Sequence, residues 1–267
     1  MDLPRAIDSD RRYLWISGSR SCPELLFAVG QSGTGASVWM DVRLSQNADM
    51  ALVGIRLPGR ESRMSEPLSE SIEYLGADMA STVGAVAKGR RFTLVGICFG
   101  AAVAYEASRQ LSLVDARPSR LVVIDALFGP PKERFAADLS EDEFGVFARE
   151  RHLLRDWVWR EPQLAALLLR QLRADIRAHA SYAWLTPERP VAYRATVVTG
   201  CHVSSVDAVT WDGAGDSLEF VDASADLSSL LTESPEGFSR ALNAVLGFDE
   251  VATSGLRGPL AQIIYGR

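Results

Sequence analysis

The sequence predicts an α/β fold, a mostly parallel sheet flanked by helices, with a helical lid inserted at about 140–185. Three observations carry that prediction. Short apolar runs recur along the chain, helical patterns alternate with them, and one stretch between two strands is longer than a single crossover needs. Arg12 to Ile16 supplies a candidate edge strand. Leu25 to Val29, Ala51 to Leu57, Phe92 to Ile97, Leu121 to Ile124, Ala195 to Thr199 and Leu218 to Val221 are short, mainly apolar runs that read as buried strands. Between them, apolar spacing predicts helices over about Ser37 to Gln46, Ser69 to Lys88, Gly100 to Leu111 and Pro235 to Leu246. Crossovers between parallel strands are expected to be right-handed. The long stretch, Ser140 to Leu185, holds two consecutive helical patterns and is read as the lid. No internal repeat or low-complexity linker divides the 267 residues, so a single domain is expected.

Composition narrows the function. A 47% hydrophobic content can fill a sizeable core. The formal charge of -6, without a basic block, gives little reason to expect nucleic acid or an anionic membrane as partner. Met1 to Arg12 is polar and charged, and no apolar run approaches the ~20 residues of a membrane span. A soluble, cytoplasmic protein is the expectation. Cys22, Cys98 and Cys201 are odd in number and lack CxxC spacing, so neither a disulfide framework nor a zinc site is indicated. No metal and no cofactor are expected.

The most informative stretch runs Arg91-Phe-Thr-Leu-Val-Gly96-Ile-Cys98-Phe-Gly100-Ala-Ala-Val-Ala-Tyr-Glu-Ala. An apolar strand enters Gly96-x-Cys98-x-Gly100 and passes directly into a helix, the context of a nucleophile elbow. That turn lifts its central side chain clear of the sheet and sets it at a helix N-terminus, whose partial positive charge lowers a thiol's pKa. Here the central residue is a thiol. The backbone N–H of Phe99 would face a developing oxyanion, joined by a donor from the loop Gly30-Gln31-Ser32-Gly33, with Gln31 and Ser32 as its candidates. The bland alternative is that the two glycines only allow close helix–strand packing around a small buried cysteine.

With these residues in view, the chain resembles the α/β-hydrolase thioesterases that serve nonribosomal peptide and polyketide synthases, closest to the discrete type II form. Leu57-Pro-Gly59-Arg60-Glu61-Ser-Arg63 is similar to that family's loop after its second long strand. Leu172-Arg173-Ala174-Asp175, followed by Tyr182, is similar to its lid helix. Three ordered motifs at suitable separations are more specific than any one. The resemblance implies a partner: a carrier protein that delivers an acyl or peptidyl chain as a phosphopantetheine thioester to the elbow nucleophile.

Departures from the family pattern are equally informative. The elbow usually holds serine preceded by histidine, whereas Ile97 precedes Cys98 here. Most relatives carry the triad histidine after the last strand, yet Asp222-Ala-Ser-Ala-Asp226-Leu-Ser-Ser-Leu-Leu has none. Asp125, ending Leu121-Val-Val-Ile-Asp125, stands where synthase-fused relatives place the triad acid. Of three histidines, His202 follows directly on a predicted strand and is the first candidate for the base. His179 lies on the apolar stripe Leu168, Leu172, Ile176 and is read as a lid residue in reach of substrate. His152, within Arg149-Glu-Arg-His152, reads as a solvated helix face.

A cysteine attacks thioesters readily even without a strong base. The acyl-cysteine that results is itself a thioester, and hydrolysing it needs an activated water. A carbon nucleophile within the chain needs only a modest base. The sequence therefore points to release by cyclisation, Dieckmann-type, to a tetramate or pyridone, and in scaffold, size and nucleophile the chain resembles the stand-alone Dieckmann cyclases. Trp157, Trp159, His179 and Tyr182, with Trp184 and the leucines at 164, 167, 168 and 172, would line an apolar channel. Packing of the lid against the core explains most of them equally well. Tyr105 and Glu106 are expected to pack or to face solvent. Two other readings stay open, a hydrolytic type II editing thioesterase and a repurposed scaffold without covalent catalysis.

Overall fold

Seven strands form one sheet: β1 Tyr13–Ser17, β2 Glu24–Val29, β3 Met50–Ile55, β4 Arg91–Ile97, β5 Arg120–Ile124, β6 Ala192–Thr199 and β7 Gly215–Asp222. The computed structural model describes residues 11–46, 49–126, 134–184, 189–199, 211, 213–223 and 226–248. Strand order is β1-β3-β2-β4-β5-β6-β7. β1 pairs antiparallel with β3, and the remaining neighbours are parallel. Successive side chains go to opposite faces, so Leu25, Phe27 and Val29 enter one core layer while Leu26 and Ala28 enter the other. Both layers are buried, which is why the central strands read as mainly apolar runs.

Helices cover the two faces. α1 Ile72–Ala87 and α2 Phe99–Ser112 pack on the first; α5 Leu227–Glu233 and α6 Pro235–Leu246 pack on the second. The caps explain their bounds. Ser71 accepts from the Tyr74 N–H at the start of α1, and Lys88, at φ +50, ends it. Pro235 opens α6 and Gly247, at φ +82, closes it. α5 is absent from the sequence expectations, because seven residues are too few to show a period.

The helix expected over Ser37 to Gln46 does not form. Ala36–Trp39 makes one 3-10 turn, and Trp39 and Val42 are wholly buried. Trp39 meets Phe238 of α6 edge-on, with ring centroids 5.6 Å apart. Beyond the turn, side chains of α6 take the backbone groups that a helix would have paired internally. Ser239 Oγ accepts from Arg43 N at 2.9 Å, Asn243 Oδ1 from Ser45 N at 2.8 Å, and Asn243 Nδ2 donates to Arg43 O at 2.9 Å. Tertiary partners have replaced local ones.

Between β5 and β6 stand α3 Glu141–Glu150, a 3-10 turn Asp156–Arg160 and α4 Pro162–Ser181. Ser140 and Glu143 close a reciprocal capping box on α3. Phe144, Ala148 and Leu172 form a small core inside this insertion. Among the described residues no helix is long and apolar enough to cross a membrane.

The ends of the parallel strands fix the site. Val29 is level with Gly96, Ile97 with Ile124, and Ile124 with Val198. One more rung follows, Cys98 N–H to Ile124 O at 2.9 Å and Asp125 N–H to Val198 O at 3.0 Å. Cys98, Asp125 and the loop after Val29 therefore leave the sheet side by side at its carboxyl edge, where α/β sites collect.

Candidate active site

The turn between β4 and α2 is built from backbone sterics. Cys98 sits at φ +51 and ψ -116, a strained conformation that costs a non-glycine residue on the order of 1–3 kcal/mol. Its neighbours permit it. A Cβ on Gly96 would stand 2.2 Å from Gly100 O, and one on Gly100 would stand 2.4 Å from Gly30 O and 2.6 Å from Val29 O. Both glycines are sterically required. The result is elbow geometry, with the partly buried Cys98 side chain at the N-terminus of α2, an end that favours negative charge.

Asp125 is also left-handed, at φ +48, and 9% exposed. Its Oδ2 accepts from both Ser228 N–H, at 3.2 Å, and Ser228 Oγ–H, at 3.1 Å. Ser228 belongs to α5, which follows β7. Its carbonyl in turn accepts from Gln31 Nε2 at 3.3 Å. One serine thus joins the acid to the loop after β2.

That loop is held from its other end by the insertion. Gly33 N–H donates to Asp175 Oδ2 of α4 at 2.7 Å, and Thr34 N–H returns to Gln31 O at 3.2 Å. With those two amides committed, Gln31 and Ser32 carry the loop's candidate oxyanion donors. Phe99, the other candidate, begins α2, its side chain wholly buried.

Arg60, whose orientation the sequence leaves open, turns inward. It is 2% exposed and binds Asp175 through two nitrogens, at 2.7 and 3.0 Å. Two motifs recognised separately in the sequence prove to be a single buried contact. No pattern along the chain pairs them.

The other expected residues divide. His179 lies beside Phe99, ring centroids 6.3 Å apart, and beside Trp184 at 6.0 Å. It is 8% exposed and its Nε2 has no hydrogen-bond partner among the described residues; burial pushes its pKa down to about 4. Tyr182 is buried and donates to Glu106 Oε2 at 2.8 Å, so as a substrate contact it offers only its ring. Burial, with Glu106 beside it, raises the phenol well above its ordinary range. Glu106 and Tyr105 are buried as well, and neither faces solvent. Trp157 departs from the expected channel lining: it is 57% exposed, because Val158 is the residue its 3-10 turn directs inward. Trp159 wedges between the two small cores of the insertion, under the Arg149 guanidinium at 4.6 Å. His202 and Cys201 lie outside the described residues, as does the tail 249–267. Cys22 packs against the main core.

Comparison with known proteins extends this geometry. The family model described as the thioesterase domain matches residues 25–228. The AMB antimetabolite synthetase AmbE of Pseudomonas aeruginosa is 34% identical over 219 residues, covering 79% of this chain and 10% of that protein. Thioesterase PikA5 of Streptomyces venezuelae is 26% identical over 187 residues, 68% of this chain and 65% of that protein. The chain therefore spans about a tenth of the first relative and just under two thirds of the second. Among solved structures, YbtT, a type II thioesterase from the yersiniabactin pathway, has a TM-score of 0.73 at 22% identity, covering 89% of this chain and 99% of its own. RedJ, the thioesterase of the prodiginine pathway in Streptomyces coelicolor, has a TM-score of 0.70 at 22% identity, covering 85% and 90%. These likenesses establish the α/β-hydrolase fold, and with the matched span they place the chain in the thioesterase domain family.

Proposed function

We propose that this protein is a chain-releasing enzyme of polyketide or nonribosomal peptide biosynthesis. It takes an acyl or peptidyl chain from a carrier-protein thioester onto Cys98 and releases it by cyclisation. The carrying observation is Cys98 at φ +51, in a turn whose flanking glycines admit no Cβ. Strain of this kind persists where function uses it. The pathway assignment draws on the likeness to YbtT, a type II thioesterase of the yersiniabactin nonribosomal peptide/polyketide pathway.

The Cys98 thiolate attacks the carrier thioester, forming a new C–S bond as the pantetheine sulfur leaves and takes up a proton. One thioester replaces another, and neither water nor an oxidant is consumed. The amides of Phe99, Gln31 and Ser32 stabilise the tetrahedral oxyanion. In the second step an acidic carbon of the chain, between two carbonyls, gives its proton to a base and attacks the Cys98 acyl carbon. A C–C bond forms, the C–S bond breaks and the thiolate returns, leaving a tetramate or pyridone ring. His202 is our base and Asp125 its acid partner. Ser228 on Asp125, in the segment that carries a histidine in most relatives, favours ring closure over hydrolysis, which needs an activated water. The inserted helices act as the lid of a single 1–267 domain and keep the acyl-enzyme dry.

The test is intact-protein mass spectrometry of wild type and Cys98→Ala with an N-acetylcysteamine β-keto aminoacyl thioester, products analysed in parallel. We expect an acyl adduct on wild type alone and a ring formed without added water. A free acid would assign the chain to hydrolytic editing. Absence of both adduct and Cys98-dependent product would leave a repurposed scaffold.

A further inference from the structure

Asp175 is the only residue of the insertion that meets both the loop after β2 and the loop after β3 in the contacts described above, and it is 0% exposed. Its Oδ2 takes the Gly33 N–H and one Arg60 nitrogen, and its Oδ1 takes the other. Arg60 continues to Thr34 O at 2.9 Å, and Gln171, one turn earlier on α4, donates to Gly59 O at 3.2 Å. Gly33 sits at φ +75 and Gly59 at φ +78. The helix therefore grips two glycine turns through buried polar bonds. Such bonds are directional, and leaving a buried donor unpaired is costly, so they fix a loop more tightly than apolar contact does.

We propose that Asp175 is a positioning residue for acyl transfer: by holding the Gly33 N–H it sets the course of the loop, so that the Gln31 and Ser32 amides point at the carbonyl carried by Cys98. Ser228 O steadies the same loop from the opposite side through the Gln31 side chain. The inference rests on the acyl-transfer reading above.

Two substitutions separate positioning from bulk stability. Asp175→Asn and Asp175→Leu both abolish the ion pair with Arg60, but only leucine removes the acceptor for Gly33 N–H. Three readouts apply: melting temperature, hydrogen exchange of a peptide spanning 30–35, and single-turnover release of N-acetylcysteamine on acylation of Cys98. Both variants should melt lower. The asparagine variant should keep loop protection and acylate within about threefold of wild type. The leucine variant should exchange its loop at least about tenfold faster and acylate roughly 30- to 100-fold more slowly, with KM within about threefold. Should leucine prevent folding, Asp175→Glu keeps the charge while displacing the contact, and is expected to slow acylation with the melting temperature retained.

Equal loop exchange in all variants, or acylation that falls only with the folded fraction, overturns the proposal. A wild type that never acylates Cys98 fails the acyl-transfer reading, and the catalytic part of this inference with it. Loop exchange still judges the anchoring by itself.

Discussion

The turn at Cys98 and the corner at Asp125 stand side by side at the sheet edge, yet they are held by different means. At the turn the backbone decides: Gly96 and Gly100 approach carbonyls so closely that no Cβ fits. At the corner, side chains far along the chain decide. Ser228, 103 positions away, supplies two donors to Asp125 Oδ2 and also anchors Gln31. A backbone-built turn keeps its shape whichever side chain it presents, whereas a corner built from side chains changes its chemistry with a single partner.

The strongest way to break the contrast is Gly100→Ala. The new Cβ would meet the Gly30 and Val29 carbonyls at 2.4 and 2.6 Å, neither of which is a flexible side chain, and we expect a loss of about 3 kcal/mol in urea unfolding. A loss below about 1 kcal/mol would show that the turn is not fixed by its backbone.

Next comes His179, on the flank of the turn against Phe99. Its folded pKa, about 4, is below the ordinary 6.5, so the unfolded chain binds the proton more tightly. Its contribution to stability is therefore complete above about pH 6.5 and is lost as pH falls towards 4. Between pH 7.5 and 4.5 it should amount to about 2.5 kcal/mol, and His179→Phe should flatten that part of the stability profile. An unchanged profile would mean that the imidazole is not held neutral by burial.

The smallest effect sharpens the contrast from the other side. Ser228→Ala removes one hydroxyl donor from Asp125 and should cost about 1 kcal/mol in thermal unfolding. The rate at which iodoacetamide alkylates Cys98 should stay within about twofold, because the turn does not depend on Ser228. A large change in that rate would show that the two halves are coupled.

The same distinction explains what the sequence discloses. Strands β2 to β5 are legible because burial on both faces leaves mainly apolar runs, and the elbow is legible because its glycines lie within five consecutive residues. The segment after the first 3-10 turn misleads, since its apolar spacing suits a helix while Ser239 and Asn243, some two hundred positions on, take its backbone. Arg60 and Asp175 each belong to a recognisable motif, but their pairing spans 115 positions and leaves no local trace. Ser228 carries no signal either: only the fold reveals that it meets Asp125. Trp157 misleads in the opposite sense, because an aromatic beside apolar neighbours looks buried until the turn's direction is known.

The insertion between β5 and β6 bears on how this scaffold can diversify. Closing a flexible connection costs about 0.6 kcal/mol for each doubling of its length, so extending an ordinary crossover to the span between Ile124 and Ala192 adds only about 1–1.5 kcal/mol. Phe144, Ala148 and Leu172 give the added segment a core of its own to offset that entropy. The sheet beneath is nearly blind to the size of what covers it. Descendants of such a chain can therefore lengthen, shorten or recut the cover for new cargo while the Cys98 turn is inherited unchanged.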